Sequence, residues 1–311
     1  MSTENEQSCQ CKDNISYIID EDTAFAKINC RVCGRLIFMK IGPYTVKEVL
    51  GEGCTGYVYL AQTKEKKEVA IKVLEKPLQI DLDFFLRECV IQRTLQHPNI
   101  VGLLDQGHWK NFYYLVMEYF PGKTLDKIIE KKGYLPPRET IKIIFSVLNG
   151  LNYAAQNNVI HRDIKPENIY ITKNKQIKIL DFGLAKIKDD CDLSQTGSGK
   201  GSPCYMAPEQ FQSAKYVDTR ADIYSVGATM YHCLSGKAPF EEKSDILQIA
   251  AAKMTNSYQS LTSINMEIPK ALENIVQKAM AYPIKRRYQT LDEFIEELYD
   301  YYQDFSAESE R

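Results

Sequence analysis

From Tyr44 to Leu74 apolar and polar positions alternate in three short runs, Tyr44 to Leu50, Tyr57 to Gln62 and Glu68 to Leu74, separated by Gly-rich and Lys-rich turns. A period of two predicts strands, and three in succession predict an antiparallel sheet. The period then lengthens. Leu82, Phe85, Leu86, Cys89 and Val90 recur close to helical spacing behind an acidic start, so Asp81 to Leu95 is expected to be a helix that His97-Pro98 ends. Tyr113 to Tyr119 reads as one more strand. After Pro121-Gly122 the helical period dominates: Leu125 to Lys131, a long amphipathic helix opened by Pro136-Pro137, and helices near 219–234, 243–254, 270–281 and 290–302. A hairpin, Ile169 to Ile171 with Ile177 to Leu180, interrupts them, and a polar Gly/Ser/Lys stretch runs from Asp189 to Gly201. The pattern implies a β-rich lobe joined to a helical lobe by a hinge, with a deep cleft between them.

Residues 9 to about 41 form a separate unit ahead of Gly42-Pro43, which reads as a boundary. Tyr17 to Ile19, Ala24 to Ile28 and Leu36 to Ile41 are its expected strands. Cys9-x-Cys11 and Cys30-x-x-Cys33-Gly34 place two thiol pairs across that hairpin, as a zinc ribbon presents four thiolates to one tetrahedral ion, although the first pair has one intervening residue where two are usual. A structural Zn2+ is the favoured reading, with unrelated free thiols and a redox pair as alternatives. The first eight residues are expected to be disordered.

The chain has 311 residues and a formal net charge of −2, so it can bury a full core, and electrostatics nominate neither nucleic acid nor anionic lipid as a partner. No run reaches the length of a bilayer span and the start is polar, from which a cytoplasmic protein is expected.

The candidate chemistry lies in linked motifs. His161-Arg162-Asp163-Ile164-Lys165-Pro166-Glu167-Asn168 holds a candidate base and a candidate metal ligand, and Asp181-Phe182-Gly183 adds a carboxylate ahead of a glycine. Gly51-Glu52-Gly53-Cys54-Thr55-Gly56-Tyr57-Val58 joins two strands; alone such a loop is most often only a turn, but its glycines let backbone N–H groups approach phosphate oxygens. Lys72 sits in Val69-Ala70-Ile71-Lys72 with apolar flanks on both sides, and Glu88 lies on the next expected helix. A strand lysine and a helical glutamate are each normally solvated charges. Together they could hold nucleotide phosphates through a partly desolvated ion pair.

In these motifs, taken with Ala207-Pro208-Glu209, residues 44 to about 302 resemble a eukaryotic-like serine/threonine protein kinase domain, and Gly201 to Gln210 looks more like its bacterial members than its animal ones. The resemblance implies an α+β, two-lobed protein kinase fold preceded by a small zinc-ribbon-like β module, with residues 303–311 as a tail. It implies that Asp163 takes or orients the proton of the attacking hydroxyl, that Lys165 lies near the transferred phosphate, and that Asn168 and Asp181 hold Mg2+. ATP would be met by Gly51, Gly53, Gly56 and Lys72, with Val58 and Ala70 above the base, Ile169 below, Met117 behind, and the Glu118 carbonyl and Phe120 N–H reading its edge.

By the same resemblance Arg162 senses phosphate on Ser194, Thr196 or Ser198, Ser202 supports the acceptor, and Asp222 anchors the catalytic loop. Glu209 is expected to pair with Arg286 or Arg287, between which the motifs do not choose. The implied activity is transfer of the ATP γ-phosphate to Ser/Thr hydroxyls of protein substrates, with autophosphorylation. The rival is a pseudokinase scaffold or nucleotide-sensing module, which would be expected to have lost Lys72, Asp163 or Asp181. The sequence specifies neither the physiological substrate nor the oligomeric state.

Overall fold

The structure, a computed structural model, describes residues 6–8, 16–18, 40–53, 56–74, 89, 92–109, 112–182, 202–211, 217–243 and 245–309. The chain divides into two compact units, Met1–Cys89 with Gly102–Tyr119 and Val90–Val101 with Phe120–Arg311. The expected hinge, Glu118 to Phe120, spans the point where one unit passes into the other.

In the first unit β1 (Glu6–Ser8) pairs antiparallel with β2 (Ser16–Ile18). The main sheet contains β3 (Lys40–Ile41), β4 (Tyr44–Gly53), β5 (Gly56–Gln62), β6 (Glu68–Leu74), β7 (Leu103–Trp109) and β8 (Phe112–Glu118), in the order β3-β4-β5-β6-β8-β7 and antiparallel throughout. The three strands expected between Tyr44 and Leu74 are its centre. Alternation sorts their side chains: Tyr59, Ala61, Val69, Ile71, Val73 and Val116 form a buried cluster, so the intervening residues belong to the opposite face.

Three expectations about this unit change. Glu6–Ser8, expected to lie in a disordered stretch, form a strand because their backbone pairs with Ser16–Ile18. Gly42-Pro43 is not a boundary but a hairpin turn, since Lys40 and Ile41 pair with Thr45 and Tyr44, Gly42 has φ +55°, and Ile41 is buried in the sheet's own cluster. The strand Leu103–Trp109 was not expected, because its run Leu-Leu-Asp-Gln-Gly-His-Trp lacks alternation. It is a sheet edge, with a register shift between Leu103 and Asp105. Of the helix expected over Asp81 to Leu95, Cys89 and residues 92–94 are helical, Leu95 is described but lies beyond the helix, and the remainder, with Glu88, lies outside the described residues. Cys9, Cys11, Cys30 and Cys33 lie outside them too.

The second unit is helical around one core. The helix Pro137–Gln156 starts with proline at its first position, where no N–H is needed, and buries Ile141, Ile144, Val147, Leu148 and Leu151 along one stripe. It packs on the helices Thr219–Ser235 and Leu291–Ser309. The helix Thr219–Ser235 is apolar on nearly every side and buried accordingly; Asp218 caps its start, and Gly236, at φ +76°, ends it. Gly227 lets it approach the helix Lys270–Ala279, for a Cβ there would meet the Ala279 Cβ at 2.8 Å.

A small sheet of β9 (Gly122–Thr124), β10 (Ile169–Thr172) and β11 (Ile177–Ile179) includes the expected hairpin. The helix expected from residue 243 begins at Ile246, because the Asp245 carboxylate accepts from the Leu247 and Gln248 N–H groups. Residues 303–309 are not a tail: the last helix runs to Ser309, and Tyr301 stacks on Phe305 one turn on. No helix among the described residues is long and apolar enough to cross a membrane.

Candidate active site

Four residues expected to meet the nucleotide share one face of the first unit's sheet. Val58, Lys72 and Leu115 are lateral neighbours across β5, β6 and β8, as are Leu60, Ala70 and Met117. Val58, Ala70, Lys72 and Met117 therefore lie on the side opposite the buried cluster. Lys72 is only 6% exposed, far from the solvated charge a strand lysine normally is.

The glycine-rich segment is the hairpin joining β4 and β5, with Gly51 opposite Val58 and Gly53 opposite Gly56. Gly51 has no positive φ, and a Cβ added there would meet nothing within 4 Å. Among the described residues neither conformation nor packing demands glycine at 51, which leaves room for a ligand beside its backbone. At the end of β8 the Glu118 N–H donates to the Gly102 carbonyl, and the Glu118 carboxylate accepts from the Gly102 N–H at 3.0 Å. That side chain fixes the strand end.

In the second unit the loop after the helix Pro137–Gln156 gathers the proposed catalytic groups. The Asn168 amide donates to the Asp163 carbonyl at 2.7 Å and to its carboxylate at 3.2 Å, and the Lys165 ammonium lies 3.2 Å from the same carboxylate. With its amide nitrogen turned to Asp163, Asn168 points its oxygen elsewhere, as a metal ligand must. Ile169 follows, fully buried, as the first residue of β10.

Side chains from distant positions hold the loop backbone. The carboxylate of Asp222, 2% exposed on the helix Thr219–Ser235, accepts from the His161 N–H at 2.9 Å and the Arg162 N–H at 2.7 Å. Burial pushes its carboxyl up, and His161 and the two N–H groups partly offset this. His161 Nδ1 accepts from the Asp163 N–H, so Nε2 carries the proton and donates to the Leu180 carbonyl at 2.8 Å. The Leu180 N–H in turn donates to the Asn168 carbonyl. Through Leu180, the residue before Asp181, the loop and the Asp-Phe-Gly segment are held together. Asp181 has φ +60° and Arg162 φ +65°, the left-handed region in which side chains other than glycine are strained and which concentrates at functional sites. Phe182 is fully buried with its ring edge-on to His161.

The Ala207-Pro208-Glu209 segment is anchored on both sides. Arg287, not Arg286, pairs with Glu209, at 2.7 Å and through two guanidinium nitrogens, with the Arg287 side chain fully buried. Arg286 lies in the exposed turn Ile284–Arg286. Gln210 accepts from the Ala207 N–H and donates to the Arg162 carbonyl at 3.0 Å. Gln210, Lys253, which donates to the Cys204 and Met206 carbonyls, and His232, bonded to the Tyr205 hydroxyl, were not expected from the sequence, because each acts on a segment dozens of residues away and carries no local pattern. Ser202 opens the short helix Ser202–Tyr205; Ser194, Thr196 and Ser198 lie outside the described residues.

A family model described as protein kinase domain matches residues 44–300. The chain is 36% identical over 259 residues to a probable serine/threonine-protein kinase of Clostridium perfringens, covering 82% of this chain and 38% of the relative. It is 36% identical over 256 residues to the serine/threonine-protein kinase PrkC of Bacillus subtilis, covering 81% and 39%. It is also 34% identical over 276 residues to the tyrosine-protein kinase MasK of Myxococcus xanthus, covering 83% and 42%. The chain thus spans about two fifths of the length of the curated relatives it matches.

Proposed function

The chain belongs to the protein kinase family, and from that premise we propose that it transfers the γ-phosphoryl group of ATP to serine and threonine hydroxyls of proteins. The observation that carries the reading is Asp163, whose carboxylate is held by Lys165 and Asn168 in a loop whose backbone Asp222 secures. Phosphoryl transfer needs positioning and charge neutralisation more than covalent help. Asp163 takes the acceptor's proton as its oxygen bonds to phosphorus and the bond from phosphorus to ADP breaks. Lys165 offsets charge on the transferred group, while Lys72 holds the donor phosphates, with Glu88 orienting it.

The Asn168 amide oxygen and the Asp181 carboxylate are hard oxygen donors, the type Mg2+ prefers, and would hold it. Bound there, Mg2+ neutralises charge on the ATP phosphates. Gly51, Gly53 and Gly56 would bring backbone N–H groups to those phosphates, while Val58, Ala70 and Ile169 enclose the adenine and the Glu118 carbonyl and Phe120 N–H read it. Retention of Lys72, Asp163 and Asp181 favours an enzyme over a pseudokinase scaffold or nucleotide-sensing module. Incubation with labelled ATP, followed by phosphosite mapping and phosphoamino-acid analysis, tests this. Label on Ser or Thr supports it, label on Tyr alone overturns the acceptor class, and no transfer to any protein overturns the enzyme.

Autophosphorylation between Ser194 and Ser202 belongs to the same reading, with phosphate paired to Arg162. The two cysteine pairs Cys9/Cys11 and Cys30/Cys33 support a structural Zn2+ in a cytoplasmic protein. Metal analysis should then find about one zinc per chain, lost in the Cys30→Ser/Cys33→Ser variant.

A further inference from the structure

Lys253 is 1% exposed, on the helix Ile246–Met254, and no carboxylate pairs with it among the described residues. Its ammonium donates to the Cys204 carbonyl at 2.8 Å and to the Met206 carbonyl at 2.6 Å. It also lies over the rings of Tyr224, Phe240 and Phe211, 4.6, 5.1 and 5.9 Å from their centroids. A helix as short as Ser202–Tyr205 leaves its last carbonyls without partners of its own, and Lys253 supplies one. An apolar residue would fill this site without losing an ion's hydration, so what a lysine adds here is the pair of donors.

The carbonyls it holds are next to the candidate base in the chain of contacts. From Met206 the backbone passes to Ala207, whose N–H donates to Gln210, and Gln210 donates to the Arg162 carbonyl, one residue before Asp163. Tyr205 lies close enough to Glu167, within the catalytic loop, for the two to interact electrostatically. The segment ending at Met206 is thus tied, through Ala207 and Gln210, to the backbone beside Asp163. We propose, resting on the kinase reading above, that Lys253 is a positioning residue for the protein substrate: by holding the Cys204 and Met206 carbonyls it sets the backbone against which the peptide flanking the acceptor hydroxyl docks. Lys253 touches neither nucleotide nor acceptor and acts through Cys204 and Met206. Burial lowers its ammonium to about 7; Cys204 and, more weakly, Glu209 act the other way, while Arg287 adds to the lowering.

The test is steady-state kinetics of Lys253→Met, which keeps length and loses both donors, with a peptide substrate identified by phosphosite mapping. Peptide KM should rise about tenfold or more, while kcat at saturating peptide, KM for ATP and ATP hydrolysis without peptide stay within about twofold. Leu247→Ala, an exposed position on the same helix, should change none of these. Should Lys253→Met not fold, Lys253→Gln, which keeps amide donors on a shorter stem, is read by the same ratio and should give a smaller rise. An unchanged peptide KM in a folded variant overturns the inference, and so does an equal loss in every parameter. If neither variant folds, Lys253 is a brace of the fold and the inference is wrong. A wild-type protein that phosphorylates no peptide removes the kinase reading itself, a result distinct from all of these.

Discussion

The Tyr205 hydroxyl and His232 Nδ1 share a hydrogen bond of 2.6 Å, with the two rings stacked at 6.1 Å between centroids. Burial holds the His232 imidazolium down to about 4, against the ordinary value of 6.5. Between those values the unfolded chain binds a proton that the folded chain does not. Stability from this group is therefore complete above about pH 6.5 and declines as the pH falls toward 4, by roughly 3 kcal/mol in all. Urea denaturation of the wild type and His232→Gln across pH 4.5 to 7.5 should show a steeper acid-side loss in the wild type. Parallel curves would show that His232 does not titrate in this window.

Asp163→Asn keeps the shape of the side chain and its bond to the Asn168 amide but cannot take a proton. Turnover should fall about 10² to 10⁴-fold, with nucleotide affinity and thermal midpoint essentially kept. Retained turnover would mean that Asp163 has no part in proton transfer.

The arginine ambiguity resolves into a comparison of adjacent positions. Arg287→Met strands the Glu209 carboxylate and the Arg220 and Ala281 carbonyls, so unfolding free energy should fall by about 3–5 kcal/mol. Arg286→Met, on the exposed turn, should fall within about 0.5 kcal/mol of wild type. Equal effects would contradict the assignment.

Asp222→Ala removes the acceptor of the two N–H groups at the start of the catalytic loop. Each orphaned donor costs about 1–3 kcal/mol, and activity should fall further than stability accounts for, because the loop backbone carries Asp163. Calorimetry beside turnover separates the two. Full activity in a destabilised variant would show that the loop holds itself.

The strands between Tyr44 and Leu74 and the helices of the second unit were legible because their periods of two and near 3.6 are local properties of consecutive residues. The motif residues stood out for a related reason: the proposed base, the proposed Mg2+ ligands and the lysine occupy fixed local patterns. Leu103–Trp109 was not, because an edge strand needs only one bonded neighbour and tolerates Asp105, Gln106 and Gly107. The choice of Arg287 over Arg286 depends on which side chain the turn Ile284–Arg286 directs inward. Gln210, His232 and Lys253 make their bonds across long sequence separations, which no window of sequence displays.

The catalytic loop takes its shape from donors and acceptors that mostly belong to other segments: Asp222 on two N–H groups, Gln210 on the Arg162 carbonyl, and Leu180 on His161 and Asn168. Residues 161–168 grafted into another scaffold would carry the reactive groups without the instructions for arranging them. A transplant intended to keep the chemistry has to bring Asp222 and Gln210 along, so the smallest portable unit of this site is discontinuous in the chain.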